Sequence, residues 1–452
     1  MYKKINTMSY IVAIDMGTTQ LKASLFRKEE DELRFVDVAF DESESFEKGR
    51  IKDKSKLAID LDRLLNSLFL TPELPNGIKR QNADVRYCIG VSGMTFRMKT
   101  ETYDGNLDGQ VFSEIEMSGF MKLVKDRYAG AESNKNLVRV KPIKYEFEEA
   151  KSKVTRITYS VPLDCALNKI KIHYLLTYVD SDFVKDMKTI LACDDSNITF
   201  YPIASAKAKY LCKEATLKRT DGFVLIDIGG GTTSVAAFKS GVLLGEYSFP
   251  FGADTVTYDI MRYVNIDNRR AKNIKFNLPL ILEYKNYKLT IGGKEIKTDA
   301  ERLKEVVQLR LEEIISHVCA FCAKVYGTID VHTMFGVTGG GSFIFSVEDV
   351  VKGLTDAEVK LFQESENKCS GDISGAIVDS SEIQYSMSGT FGMVKLYREE
   401  FAEQFVKEHI PDMFDEPKAK SAKESKSGGI VKGMKSFFDN MIKPSEDIGD
   451  NF

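Results

Sequence analysis

The chain has 452 residues, 43% of them hydrophobic and 29% charged, with a formal net charge of −4; this is the composition of a globular protein of two to four domains. It offers no overall basic field to nucleic acid, which disfavours nucleic-acid binding. Seven cysteines, at 88, 165, 193, 212, 319, 322 and 369, are odd in number without framework spacing, and the four histidines form no ligand cluster, so neither a disulfide scaffold nor a zinc site is expected.

In chain order, Lys3 and Lys4 precede an apolar stretch that Asp15 interrupts too soon for a signal-peptide core. No run approaches the ~20 apolar residues of a membrane-spanning helix. Residues 10–26, YIVAIDMGTTQLKASLF, read as a strand ending at Asp15, a turn of Gly17, Thr18, Thr19 and Gln20, and a second strand. The helix IDLDRLLNSLFL and the strand VRYCIGVSG follow, and the alternation predicts a sheet covered by helices. From about 93 to 170 the pattern changes to short alternating strands, RMKTETY, RVKPIKYEF and RITYSV, around one helix, SGFMKLVKDRY. That predicts a small α+β insertion, after which KIHYLLTYVD and SDFVKDMKTILAC return to the first layer.

Residues 222–238, GFVLIDIGGGTTSVAAF, repeat the first hairpin, with Asp227, then Gly229, Gly230, Gly231, Thr232 and Thr233. Glycine is required where a turn needs positive φ or where backbone must approach phosphate without a Cβ between. Such turns offer backbone N–H groups, Thr hydroxyls and one carboxylate to a phosphate and its metal ion. A third glycine turn, VTGGGSF, spans 337–343. The stretch AERLKEVVQLRLEEIISHVCAFCAKVYG is a helix whose Leu303, Val306, Val307, Leu311, Ile314, Ile315 and Val318 share one buried face. The Cys319–Cys322 pair falls inside it and reads as packing.

After 411 the sequence DEPKAKSAKESKSGG reads as a flexible linker. It leads to GIVKGMKSFFDNMIK, where Ile430, Val431, Met434, Phe437, Phe438, Met441 and Ile442 recur at steps that place them on one helical face. About 14 residues make a helix of roughly 21 Å, suited to lying in a membrane interface. Lys432, Lys435 and Lys443 beside that face add attraction to anionic lipid.

These motifs, in this order, resemble the actin-like ATPase superfamily and, within it, the FtsA family of bacterial cell-division proteins. PIASAKAKYL at 202–211, IDIGGGTTSVAAFKSGVLL at 226–244, PFGADTVTYDI at 250–260, RRAKNIK at 269–275 and QLRLEEI at 308–314 carry the similarity. The resemblance implies an α/β actin-like fold of two duplicated lobes around a nucleotide cleft, with the α+β insertion in the first lobe. The corresponding division is 1–92 and 171–200 (first lobe), 93–170 (insertion), 201–254 and 332–410 (second lobe), 255–331 (its subdomain), 411–428 (linker) and 429–443 (membrane-targeting helix).

For the cleft it implies ATP, with Gly17, Thr18, Thr19 and Gln20 as one phosphate clamp and Gly229, Gly230, Gly231, Thr232, Thr233 and Gly252 as the other. Gly339, Gly340, Gly341 and Phe343 would face the adenosine, Lys275 would lie over the ribose or base, and Asp15 and Asp227 would hold Mg²⁺ through its waters. Three positions depart from the family: Gln20 stands where Lys is usual, Ser234 where an acid or amide is common, and Lys272 where Glu is usual. The insertion also lacks an expected Gly-Met turn at 162–172. No residue from Pro202 to Ala206 stands out as a catalytic base, so slow or absent hydrolysis is expected.

The family further implies self-assembly into filaments, recruitment of later division proteins, and tethering of FtsZ at the cytoplasmic face of the bacterial inner membrane, at the division septum. The FtsZ C-terminal peptide would meet the subdomain of the second lobe, with Arg302, Arg310 and Glu313 as candidate contacts. The alternatives are a small-molecule kinase of the same superfamily, which would need a catalytic Asp, and a PilM-like pilus-assembly scaffold, whose chains lack this tail.

Overall fold

The computed structural model describes residues 9–29, 32–75, 78–283, 288–291, 294–297, 299–327, 332–363 and 381–408. The chain through Gln404 forms one compact unit, to which the following description applies. The linker and the amphipathic segment at 429–443 lie outside the described residues.

The first lobe opens with β1 (Ser9–Met16), β2 (Gln20–Glu29), β3 (Glu32–Glu42), α1 (Lys54–Leu68) and β4 (Asp84–Val91). An insertion follows, made of β5 (Phe96–Phe112), α2 (Glu114–Tyr128), β6 (Lys135–Glu149), β7 (Thr155–Thr158) and β8 (Cys165–Asp180). The chain returns through α3 (Ser181–Leu191) and β9 (Ile198–Pro202), then α4 (Ile203–Leu211). The second lobe comprises β10 (Phe223–Ile228), β11 (Thr233–Lys239), β12 (Val242–Phe249), α5 (Ala253–Val264), α6 (Asn268–Glu283), β13 (Lys288–Ile291), β14 (Lys294–Lys297), α7 (Ala300–Tyr326), β15 (Met334–Thr338), α8 (Val347–Thr355) and β16 (Val359–Leu361). Two helices close the described chain, α9 (Ser381–Ser386) and α10 (Ser388–Glu408).

The first sheet runs β9-β4-β1-β2-β3 and the second β16-β15-β10-β11-β12. In both, the hairpin strands are antiparallel and the remaining strands are parallel to its first strand. The two lobes are therefore copies of one topology. Tyr10 to Ile14 and Phe223 to Ile228 are buried without alternation, because helices cover both faces of each sheet.

On the outer face of the first sheet, α1 starts at Asp53, whose carboxylate accepts the Lys56 N–H at 2.9 Å. It buries Leu57, Leu61, Leu64, Leu65 and Leu68, beside Phe183, Val184 and Met187 of α3. On the outer face of the second sheet, the expected stripe of α7 is largely buried, from Leu303 to Val318, and Cys322 packs with it. The CxxC reading as packing therefore holds.

The inner faces share a third core. Ile11 and Ala13 of β1, Leu225 of β10, Ala204 and Ala208 of α4, and Phe391 and Met393 of α10 belong to one cluster. Here α10 crosses α4 so closely that a Cβ on Gly392 would lie 1.8 Å from the Ala206 carbonyl oxygen.

The insertion differs from its expected boundaries. β8 pairs with β5 from Cys165 to Val179 and with β6 from Leu167 to Asp180, so KIHYLLTYVD belongs to the insertion sheet, ordered β5-β8-β6-β7. The insertion extends to 180 and the first lobe resumes at α3. An apolar run is equally at home in either sheet, and only the pairing partner distinguishes them.

Gly392→Ala is expected to lower the melting temperature, because overpacking at a backbone-to-backbone crossing costs about 1–3 kcal/mol. Thermal unfolding followed by circular dichroism checks this, and an unchanged midpoint would refute the tight crossing.

Candidate functional site: the cleft between the lobes

Each hairpin turn is closed by its own backbone. Gly17 N–H donates to Gln20 O at 2.9 Å, and Gly229 N–H donates to Thr232 O at 2.8 Å. The second turn is fastened from behind, since Ala253 and Asp254 donate to Gly229 O and Gly230 O, both at 2.9 Å. A Cβ on Gly252 would lie 2.5 Å from Gly229 O. Gly252, expected among the phosphate contacts, packs against the back of the turn. Thr233 is wholly buried on β11, and its hydroxyl has no hydrogen-bond partner among the described residues.

The turns oppose one another as expected, but they touch. A Cβ on Gly231 would lie 2.4 Å from Thr18 Oγ1, and one on Gly230 2.9 Å from Thr19 Cγ2. Phosphate could enter at this point only if the turns moved apart. Gln20 is exposed. The third turn packs against the second hairpin: Gly339, at φ +84°, abuts Asp227 and the Ile228 carbonyl, Gly341 abuts the Ile228 side chain, and Gly340 faces open space. Phe343 is half-exposed, its ring edge-on to Tyr385 at 6.0 Å, and with Ser342, Ile344 and Gln363 it lines a shallow cavity of about 290 Å³.

Lys275, expected over the ribose or base, is turned into the second lobe. It is 2% exposed, and its ammonium donates to Ala253 O at 3.0 Å and Thr257 Oγ1 at 2.8 Å. Burial lowers its pKa to about 8, with Asp254 opposing the shift. Two fixed acceptors on α5 turn the side chain inward.

The two acids meet different partners. Asp15 stands directly across the hairpin from Lys22, whereas the same register position opposite Asp227 holds Ser234, which shares a hydrogen bond with Ser248 at 2.8 Å. The cation for Asp227 comes from outside the sheet. Lys207 of α4 donates to both carboxylate oxygens at 2.8 Å, and the two side chains are only 13% and 7% exposed. Burial works against the Lys207 charge, yet Asp227 and Asp15 together hold its pKa above the ordinary lysine range. Burial lowers the pKa of Lys22, opposed by Asp15 and favoured by Lys207; its ammonium donates to Ser386 O at 2.9 Å.

With both Asp227 oxygens taken and Gly339 packed against Oδ1, the donor set does not fit the hydrated Mg²⁺ expected of Asp15 and Asp227, because Mg²⁺ needs near-octahedral room and retains its waters. Among the described residues, no group of three His, Cys, Asp or Glu side chains is placed to hold a metal.

Glu246 of β12 reaches α4 from the opposite side and accepts the Ala204 and Ser205 N–H groups, each at 2.8 Å. These are orphan donors of a helix start. Burial pushes its pKa up to about 7 against those donors. Sequence reasoning missed Lys22, Lys207 and Glu246. Two signals existed: Lys22 falls opposite Asp15 once the hairpin is drawn, and Lys207 lies four residues after Ile203 on the face that α4 buries.

A separate groove lies between α5 and α7. Asp259, Arg262, Tyr263, Val306, Leu309, Arg310 and Glu313 line a cavity of about 480 Å³. Arg310 grips Asp259 at 2.5 and 3.1 Å and pairs with Glu313. Arg302 lies apart from this lining, 3.9 Å from Asp299. No helix among the described residues is long and apolar enough to cross a membrane.

Two sheets of identical order, each with an Asp-Gly-Thr-Thr hairpin at its centre and a helix buried between them, define the actin-like fold. A solved PilM-PilN type IV pilus biogenesis complex shares it, with a TM-score of 0.56 at 13% identity over 85% of this chain and 97% of that one. Residues 224–388 match the family model described as cell division protein FtsA. The Bacillus subtilis cell division protein FtsA is 21% identical over 377 residues, 79% of each chain. The Pseudomonas aeruginosa protein of the same name is 32% identical over 110 residues, 22% of this chain and 25% of its own.

Glu246→Gln tests the contact beneath α4. The carboxyl has a folded pKa of about 7 against 4.5 in solvent, so its contribution to stability is fully present below about 4.5 and is lost as the pH rises through about 7. The gap in melting temperature between the native chain and the variant is therefore expected to shrink across that window. A gap that stays constant or widens would contradict the assignment.

Proposed function

We propose that this chain is an FtsA-like cell-division scaffold, which assembles with copies of itself and joins FtsZ filaments to the cytoplasmic face of the bacterial inner membrane. The observation that carries the reading is the groove between α5 and α7. It sits in the subdomain where the FtsA resemblance leads one to expect the FtsZ C-terminal peptide, and it combines an exposed apolar residue, Leu309 at 65% exposure, with a basic and acidic rim. A short peptide with apolar anchors and flanking charges suits such a surface. Later division proteins and the filament contacts would use other faces.

ATP is the proposed ligand of the cleft. Glycine at the two turns, where no Cβ is tolerated, and the open side of Gly340 support this reading. Entry needs the Thr18–Gly231 contact to open, so nucleotide would act chiefly as a ligand that sets the separation of the lobes. The tail supplies membrane contact through Ile430, Val431, Met434, Phe437, Phe438, Met441 and Ile442, which would lie on an anionic surface.

Replacing Leu309 by Asp, or Arg310 by Glu, is expected to weaken binding of the FtsZ C-terminal peptide by about tenfold or more, the loss typical of a truncated anchor. Fluorescence anisotropy measures it, and native affinity in both variants would rule out the groove. Deleting residues 428–452 should abolish sedimentation with vesicles containing phosphatidylglycerol. Equal pelleting of the truncated chain would end the anchor reading.

A further inference from the structure

We propose that the Lys207 ammonium takes the place of a divalent cation in this cleft, so that nucleotide phosphate is bound here without Mg²⁺. The inference rests on the reading of the cleft as a nucleotide site and adds to it the source of positive charge.

The geometry follows from where the cation is supplied. Asp15 ends the central strand of one sheet and Asp227 ends the central strand of the other. Lys207 comes from α4, the helix buried between the sheets, and lies against Asp227 with both carboxylate oxygens at 2.8 Å. Asp15 acts on the same ammonium through its charge. A metal ion shared by the two turns would need this position. The carboxylate is enclosed on its remaining side by the Gly339 backbone, and Gly389 closes on Asp15, where a Cβ would lie 2.9 Å from Oδ2. With the Lys207 ammonium in place, an octahedral hydrated ion, with ligands at about 2.0–2.1 Å, has no room there.

Charge agrees with geometry. Lys22 and Lys207 balance Asp15 and Asp227 before any ligand arrives, so the floor of the cleft is already neutral. Lysine is a mobile point charge on a flexible stem and a common phosphate partner. An ammonium held at the floor can turn from Asp227 toward a phosphate oxygen as the turns part. Gln20 carries no cation at the first turn, so Lys207 is the ammonium placed to meet phosphate as it turns from Asp227.

The test uses the full chain and two readouts. Calorimetric titration with ATP is run in EDTA and in millimolar Mg²⁺. Native protein is expected to bind equally in both, within about twofold, whereas Lys207→Met should lose at least about tenfold in EDTA and recover in Mg²⁺, as expected when a charge is removed from phosphate. A tenfold loss for native protein in EDTA would overturn the proposal.

The second readout needs no nucleotide. Mn²⁺ should leave the melting temperature of native protein unchanged, raise that of Lys207→Met, and do nothing to Lys207→Met/Asp227→Asn. Mn²⁺ stabilisation of native protein that disappears in Asp227→Asn, or its absence from Lys207→Met, overturns the cation replacement. A Lys207→Met chain that stays unfolded with Mn²⁺ while the double variant folds also overturns it. If ATP binds in neither buffer while the Mn²⁺ pattern holds, the nucleotide reading falls and the cation replacement stands.

Discussion

The pairing of Lys207 with Asp227 is the contact on which the arrangement of the cleft depends. A buried carboxylate without a partner is costly, and removing one member of such a pair typically costs several kcal/mol. The partner is supplied by α4, so α4 must lie between the sheets at a fixed height. Its small residues, Ala204, Ala206 and Ala208, allow that approach, and Glu246 holds its first turn from the far side. The glycines of α10 then permit a second helix to close over it. The central core is consequently a charged pair wrapped in small side chains and aromatic rings.

Much of this architecture was legible in the residues. The paired hairpins, their terminal acids and the third glycine turn announced duplicated lobes, because a turn that needs glycine and a strand that alternates or is uniformly apolar leave local marks. The buried stripe of α7 was equally readable from its spacing. The end of the insertion was not, since β8 is an apolar strand whose place depends on partners far away along the chain, such as Phe96 opposite Val179, and periodicity carries no information about partners.

The site was legible in outline and not in detail. Gly17, Gly230, Gly231 and Gly339 occupy the close approaches that glycine implies. Lys275 and Gly252 were assigned by resemblance, and both are engaged inside their own subdomain, where the acceptors of α5 and the back of the second turn claim them. Lys207 was passed over because a lysine in a nine-residue helix, with Lys209 two positions on, looks like a solvated charge. Only the depth of α4 between the lobes makes it an internal ion, and depth is a property of the assembled chain.

The two acids also differ in how independent they are. Asp15 finds its counter-charge across its own hairpin, on the neighbouring strand. Asp227 borrows one from a helix that precedes its strand in the chain. During synthesis from the N-terminus, α4 leaves the ribosome before β10, so the neutralising group is in place when the second acid must be enclosed. A chain begun at β10, without α4, would have to bury an uncompensated charge. Duplication of topology has therefore not made the halves interchangeable or autonomous.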